Sequence, residues 1–216
     1  MIQKLLRTVT ESFHLNAANV GQFRKLKANG MNFQIWAFEA EGLGHVSAMT
    51  ASGFLGLMKM DTLIINPTEV DMPLLSYDRV HAMGNDTLIF ELYDTVTGKA
   101  DLNAVADVKN AHASLPDHDL GKHWYDGIKL AESLSKKGKK SKTPAFDALT
   151  QSYMDAYLAC CKAAVPCDAD AKREKASIYV EGLLTHGGPS TDVFKKALGD
   201  EATAQLFRKV LFGTDA

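Results

Sequence analysis

An α+β fold, a three-layer αβα sandwich with a central antiparallel β-sheet flanked by helices, is predicted by three features of the chain. Strand-like segments punctuated by glycine, Asn-Pro and Asn-Asp steps fill residues 30–97. Helical spacing of apolar residues, with capping signals, dominates residues 100–213. The links between the strands are too short for crossover helices, so the strands must form an antiparallel meander. Strands followed by helices pack most simply as helices over both faces of one sheet. A length of 216 residues fits one domain, 1–216, since domains commonly run about 100–200 residues.

The elements follow in order. Residues 2–14 place Leu5, Leu6, Val9 and Phe13 on one stripe, which predicts an amphipathic opening helix. Residues 33–38 and 87–93 are strand-like in composition. Residues 57–65 are apolar on both faces apart from Lys59, Asp61 and Thr62, which predicts a mid-sheet strand covered on both sides. Thr143-Pro144 offers an N-cap and a first-turn proline ahead of Phe146, Leu149, Tyr153, Met154, Tyr157, Leu158 and Cys161. A helix over 170–185 follows. Ser190 or Thr191 can cap a segment that Gly199 ends, and Asp200 can cap the last helix.

Composition excludes several classes. With 24 Lys+Arg against 26 Asp+Glu the net charge is −2, which is not the basic footprint of a nucleic-acid binder. No stretch approaches the roughly 18 apolar residues of a membrane span, and the N-terminus does not read as a signal peptide. Cys160, Cys161 and Cys167 are odd in number and clustered, which argues against a disulfide framework and fits a reducing cytoplasm. A monomer or weak dimer is expected. No GxGxxG, Walker loop, HExxH, GxSxG or CxxC occurs; Gly42-Leu43-Gly44 starts a glycine pattern that Ser47 breaks. A redox enzyme of this sequence would carry no recognisable nicotinamide or iron–sulfur site of its own, and the seven histidines show no metal-ligand spacing.

One charge run stands out. Lys136, Lys137, Lys139, Lys140 and Lys142 occupy five of seven positions and are expected to repel one another into an extended loop. Such a loop is either a solvated linker or a docking patch for an acidic partner.

Read in order, the middle of the chain resembles the ferredoxin-dependent bilin reductases and, more distantly, red chlorophyll catabolite reductase. The resemblance rests on residues 63–80: a strand ending at Pro67, a short loop, the step Pro73-Leu74-Leu75, and Asp78 opening the next strand. The hairpin partner 85–95, the connection carrying Trp124, and the final segments 193–201 and 209–212 follow with similar spacing. The ordered set covers most of the chain. It implies a bilin pocket between the sheet and the C-terminal helices. Members reduce a linear tetrapyrrole such as biliverdin with single electrons from ferredoxin; they bind no metal or flavin and supply the protons.

The same resemblance implies site residues. Asp78 matches the family's proton-donating aspartate, a carboxyl that desolvation would keep protonated beside an apolar ligand. The competing reading is a strand-start aspartate paired with Arg79 or a backbone amide. Thr62 stands where the family has a histidine or asparagine, and a threonine hydroxyl can hydrogen-bond a pyrrole or lactam but not donate a proton at neutral pH. A catalytic glutamate of some members falls at about Thr50, so two donors of one branch are missing. His186, in the loop where some members place a second acid, is the candidate replacement, against the alternative of a surface histidine. Thr87 matches a propionate-contacting strand position, and Lys122 falls where the family has a basic anchor. The family's lysine before the penultimate helix falls near Pro189. Met49, Met58, Met60 and Met154 either line an adaptable pocket or fill the core. The alternative to a reductase is a bilin or tetrapyrrole carrier on the same fold, and a third is a protein keeping the fold for an unrelated ligand.

Overall fold

The computed structural model describes residues 1–188 and 190–215. Its centre is an eight-stranded antiparallel sheet. The strands are β1 (Leu15–Ala17), β2 (Lys25–Ala28), β3 (Met31–Ala40), β4 (Gly44–Gly53), β5 (Met58–Pro67), β6 (Leu74–Ala82), β7 (Asn85–Tyr93) and β8 (Leu134–Lys139). From β3 to β7 the strands pair in sequence order, as short turns require. β1 and β2 share one edge, pairing with opposite ends of β3. β5 lies in the middle with buried residues along its second half, in line with its two-sided apolar sequence.

Alternation along the strands sends side chains to two separate cores. One face is covered by α1 (Ile2–Ser12), α2 (Asn103–Ala111) and α3 (Thr143–Ala163), around Leu5, Val9, Val46, Leu63, Tyr77, Phe90 and Tyr153. The other face is covered by α4 (Ala169–His186), α5 (Thr191–Leu198) and α6 (Asp200–Gln205), around Ile35, Met49, Ile64, Tyr179, Phe194 and Phe207. The sandwich predicted from the sequence is the observed architecture. Among the described residues no helix is long and apolar enough to cross a membrane.

Three sequence expectations are corrected. Among the described residues Ser190 makes no capping hydrogen bond to α5, and Asp200 is the first residue of α6 rather than its cap, which is Gly199. Thr143 does not cap α3; it is the first helical residue, and its hydroxyl donates instead to Asp86 Oδ2 at 2.6 Å. The lysine run is not an extended loop. Residues through Lys139 form the edge strand β8, and Lys140–Lys142 form a 3₁₀ turn. A strand alternates its lysines between faces, and Lys136 escapes the repulsion by burial: its Nζ donates to Leu115 O at 2.9 Å and to Asp117 Oδ1 at 2.7 Å. Lys136 is therefore removed from any docking patch, while Lys137, Lys139, Lys140 and Lys142 stay exposed.

The start of α4 has a side-chain cap, Asp168, which accepts from the backbone N–H of Asp170 and of Ala171, both at 2.9 Å. After α6 the chain widens into a π-helical turn, Leu206–Leu211, whose end leaves its last backbone carbonyls without an intrahelical partner. Polar side chains from the sheet take them up. His45 Nε2 meets Val210 O at 2.9 Å, Ser47 Oγ donates to Leu211 O at 2.7 Å, and Asn66 Nδ2 donates to Phe212 O at 2.7 Å. The C-terminal layer is thereby clasped onto β4 and β5.

Candidate active site

Between that C-terminal layer and the sheet lies a cavity. Its floor comes from alternate residues of four neighbouring strands: Met49, Thr62 with Ile64, Ser76 with Asp78, and Glu91. Its roof comes from Tyr179 and Leu183 of α4, from Gly188, Ser190 and Thr191, and from Phe207, Leu211 and Phe212. The cavity measures about 100 Å³. Sites for drug-sized ligands occupy roughly 300–1,000 Å³. A large ligand therefore requires the C-terminal layer to move outward.

One wall is aromatic. Tyr93 and Tyr179 stack with centroids 4.2 Å apart, and Tyr125 meets Tyr93 edge-on at 5.6 Å. Trp124 lies against α4 at Gly182, where any Cβ would collide with the indole, and its Nε1 donates to Gly187 O at 3.0 Å. Glycine at 182 is what lets the Trp124 connection close on that helix.

Asp78 faces the cavity from the middle of the sheet and is otherwise surrounded by protein. Its cross-strand partner is Thr62, whose Oγ1 donates to Asp78 Oδ1 at 2.5 Å. Burial pushes the Asp78 carboxyl up to about 6; the Thr62 hydroxyl opposes this and the charge of Glu91 adds to it. Arg79 is not its partner. As the next residue along the strand Arg79 points to the opposite face, where it is fully buried against Asp86 and Asp147.

Glu91 carries no signal in the sequence beyond an acid among the apolar residues 88–93. It is buried, Tyr93 Oη donates to its Oε2 at 2.6 Å, and its Oε1 has no hydrogen-bond partner among the described residues. Lys129 Nζ stands 3.6 Å from Oε1 but bonds Asp126 at 2.9 Å. Burial works against the Lys129 charge, yet Asp126 and Glu91 hold its ammonium above the usual lysine range.

The remaining candidates are dispersed. Thr87 shares the cavity face of β7 but lies four residues before Glu91, outside the lining. Lys122 is exposed in the loop before Trp124. His186 ends α4 one turn beyond Leu183, exposed and packed against Trp124 at 5.5 Å between ring centroids, and does not line the cavity. Thr50 points to the α1–α3 face, because alternation gives the cavity face of β4 to Met49. Met58 and Met60 pack at the edge of the core beneath the C-terminal layer, whereas Met154 belongs to the opposite core. Pro189 lies outside the described residues. Among the described residues no three His, Cys, Asp or Glu side chains converge to hold a metal ion.

The chain matches no family model, and no curated protein matches it in sequence. Its fold is similar to that of phytochromobilin synthase from tomato, solved in complex with biliverdin. The TM-score is 0.78 at 14% identity, over 99% of this chain and 82% of that one.

Proposed function

We propose that this chain reduces a linear tetrapyrrole of the biliverdin type, taking single electrons from ferredoxin and using Asp78 as proton donor. The observation that carries the reading is a protonatable carboxyl on the central strands facing an apolar, tyrosine-walled cavity. The likeness in fold to a synthase that binds biliverdin supports the ligand class. Saturating one double bond consumes two electrons and two protons. The protein holds no redox group in this reading: ferredoxin delivers the electrons and the pigment carries the radical. Asp78 gives its proton to the reduced pigment, and Thr62 orients the carboxyl and stabilises the carboxylate left behind. The tyrosines supply stacking faces, and the C-terminal layer excludes water once it closes over the ligand.

A second reading, a bilin carrier, is favoured by Thr62 itself, since a hydroxyl at that position supplies no second acid beside Asp78. One experiment separates the two. Purified protein is mixed anaerobically with biliverdin, reduced ferredoxin is added, and the visible spectrum is followed. A shift on mixing, then bleaching with a blue-shifted product, is expected. A shift without later bleaching leaves the carrier, and no change on mixing removes both.

A further inference from the structure

The cavity is roofed by the clasped C-terminal layer, while each reduction must draw two protons through it. Asp78 can hold one proton and must then be recharged. Among the described residues, Glu91 alone borders both this cavity and a second, outward-facing cleft of about 210 Å³ at the β7–β8 edge, which His118, Asp119, Lys129, Ser133 and Ser135 help to line.

The geometry of Glu91 suits transfer better than structural pairing. Tyr93 fixes one carboxylate oxygen at 2.6 Å, which orients the group. The other oxygen is buried and has no hydrogen-bond partner among the described residues, which leaves it free to take a proton or to bond water or a ligand. Lys129 forms an ion pair with that oxygen at 3.6 Å, beyond hydrogen-bond range, while its hydrogen bond goes to Asp126. Inside the cavity, Glu91 stands opposite Ser76, and Asp78 is the next residue on that face of β6. Such diagonal neighbours have Cα atoms about 7–8 Å apart, a span that one water or a bound ligand bridges.

We propose that Glu91 is the proton inlet of this site, taking protons from water in the outer cleft and passing them through the cavity to Asp78. A hydronium ion in the cleft protonates the Glu91 carboxylate and becomes water. The proton then moves to the Asp78 carboxylate, which restores both groups without electron transfer. The inlet deepens the reading of Asp78 as the site's acid and rests on it.

The test uses the full chain without ligand first. A caged acid is photolysed at pH 7, and the C=O stretch of protonated Asp78, identified by its loss in Asp78→Asn, is followed by time-resolved infrared spectroscopy. Glu91→Gln, which preserves shape and the Tyr93 contact, is expected to slow the rise of that band by about 10²-fold, within the range of acid–base contributions. Glu91→Asp, which keeps an acid there, is expected to recover most of the rate. Equal rates in wild type and Glu91→Gln overturn the inlet. So does an equal slowing in Glu91→Asp with Tm lowered in both, the mark of a structural role. In turnover with biliverdin and reduced ferredoxin, Glu91→Gln should bind biliverdin as wild type does, turn over more slowly, and be rescued by imidazolium buffer; lack of rescue also counts against the inlet. If wild type neither binds nor reduces biliverdin, the proposed function fails while the infrared rates still decide the role of Glu91.

Discussion

Thr62 and Asp78 are direct cross-strand neighbours on β5 and β6, joined by a 2.5 Å hydrogen bond from hydroxyl to carboxylate. The bond favours the charged carboxylate and so works against the burial that raises its pKa. Replacing the hydroxyl by a methyl of equal shape removes that opposition. Thr62→Val is expected to move the titration of Asp78 alkaline by about one pH unit, since a hydrogen bond to a charged group contributes roughly 1.5–3 kcal/mol. Carbon-13 NMR titration of the carboxyl reads the shift; no shift, or an acid one, would refute the role given to Thr62.

Asp78 should also leave a mark on stability. Its folded-state value of about 6 lies above the ordinary 3.8, so between these pH values the folded chain holds a proton that the unfolded chain has lost. Stability contributed by this group is full below about pH 4 and declines as pH rises towards 6, by at most about 3 kcal/mol. Asp78→Asn removes the decline. Urea titrations of both proteins from pH 4 to 7.5 should show the variant gaining on wild type as pH rises; parallel curves would contradict the shifted carboxyl.

Arg79 ties α3 to the sheet. Its guanidinium is fully buried, bonding Asp86 at 2.5 and 2.6 Å and Asp147 at 3.1 Å beside the ring of Phe146. Arg79→Met removes the guanidinium from the buried Asp86, leaving the Thr143 hydroxyl and His81 beside it, and is expected to cost about 3–5 kcal/mol by chemical denaturation. Adding Asp86→Leu should recover a large part of that loss. A single-variant loss below about 1 kcal/mol, typical of a surface pair, would show that the pair is not buried in solution.

The clasp on the C-terminal layer should gate ligand access. Ser47→Ala with Asn66→Ala removes two donors from the carbonyls of Leu211 and Phe212. At about 1 kcal/mol per bond and 2–4 °C per kcal/mol, Tm should fall by roughly 4–8 °C. Biliverdin association, followed by stopped-flow absorbance, should become faster as the layer opens more often. Slower association in the variant would mean that the clasped state is the binding-competent one.

Lys137, Lys139, Lys140 and Lys142 are the exposed lysines of the run, and the proposal that an acidic electron donor docks on them has a direct test. Changing all four to glutamine is expected to slow reduction several-fold at low salt and little at 0.5 M salt, where screening has already weakened the attraction. Lys136→Gln should instead lower stability, because its ammonium is buried against Leu115 and Asp117. A salt-independent effect of the four-lysine variant would exclude electrostatic steering at this edge.

Local chemistry determined what the chain's own pattern could carry. Apolar spacing in 143–161 and 170–185 sets helices, short turns set an antiparallel order, and two-sided apolar content puts residues 57–65 at mid-sheet, because these effects act between residues close in sequence. Resemblance along the 63–80 segment marked Asp78 and Thr62, which β5–β6 register then joined. What lay beyond reach depends on contacts between distant segments. Glu91 gains meaning only when β6–β7 pairing, the turn bearing Lys129 and the roof from α4 surround it with two cavities. Lys136 differs from its four neighbours only because Leu115 and Asp117 reach it from another segment. His186 matched by its place along the chain, yet α4 carries it past the cavity's edge. Desolvation and pairing are properties of a three-dimensional surrounding, and only the folded chain supplies it.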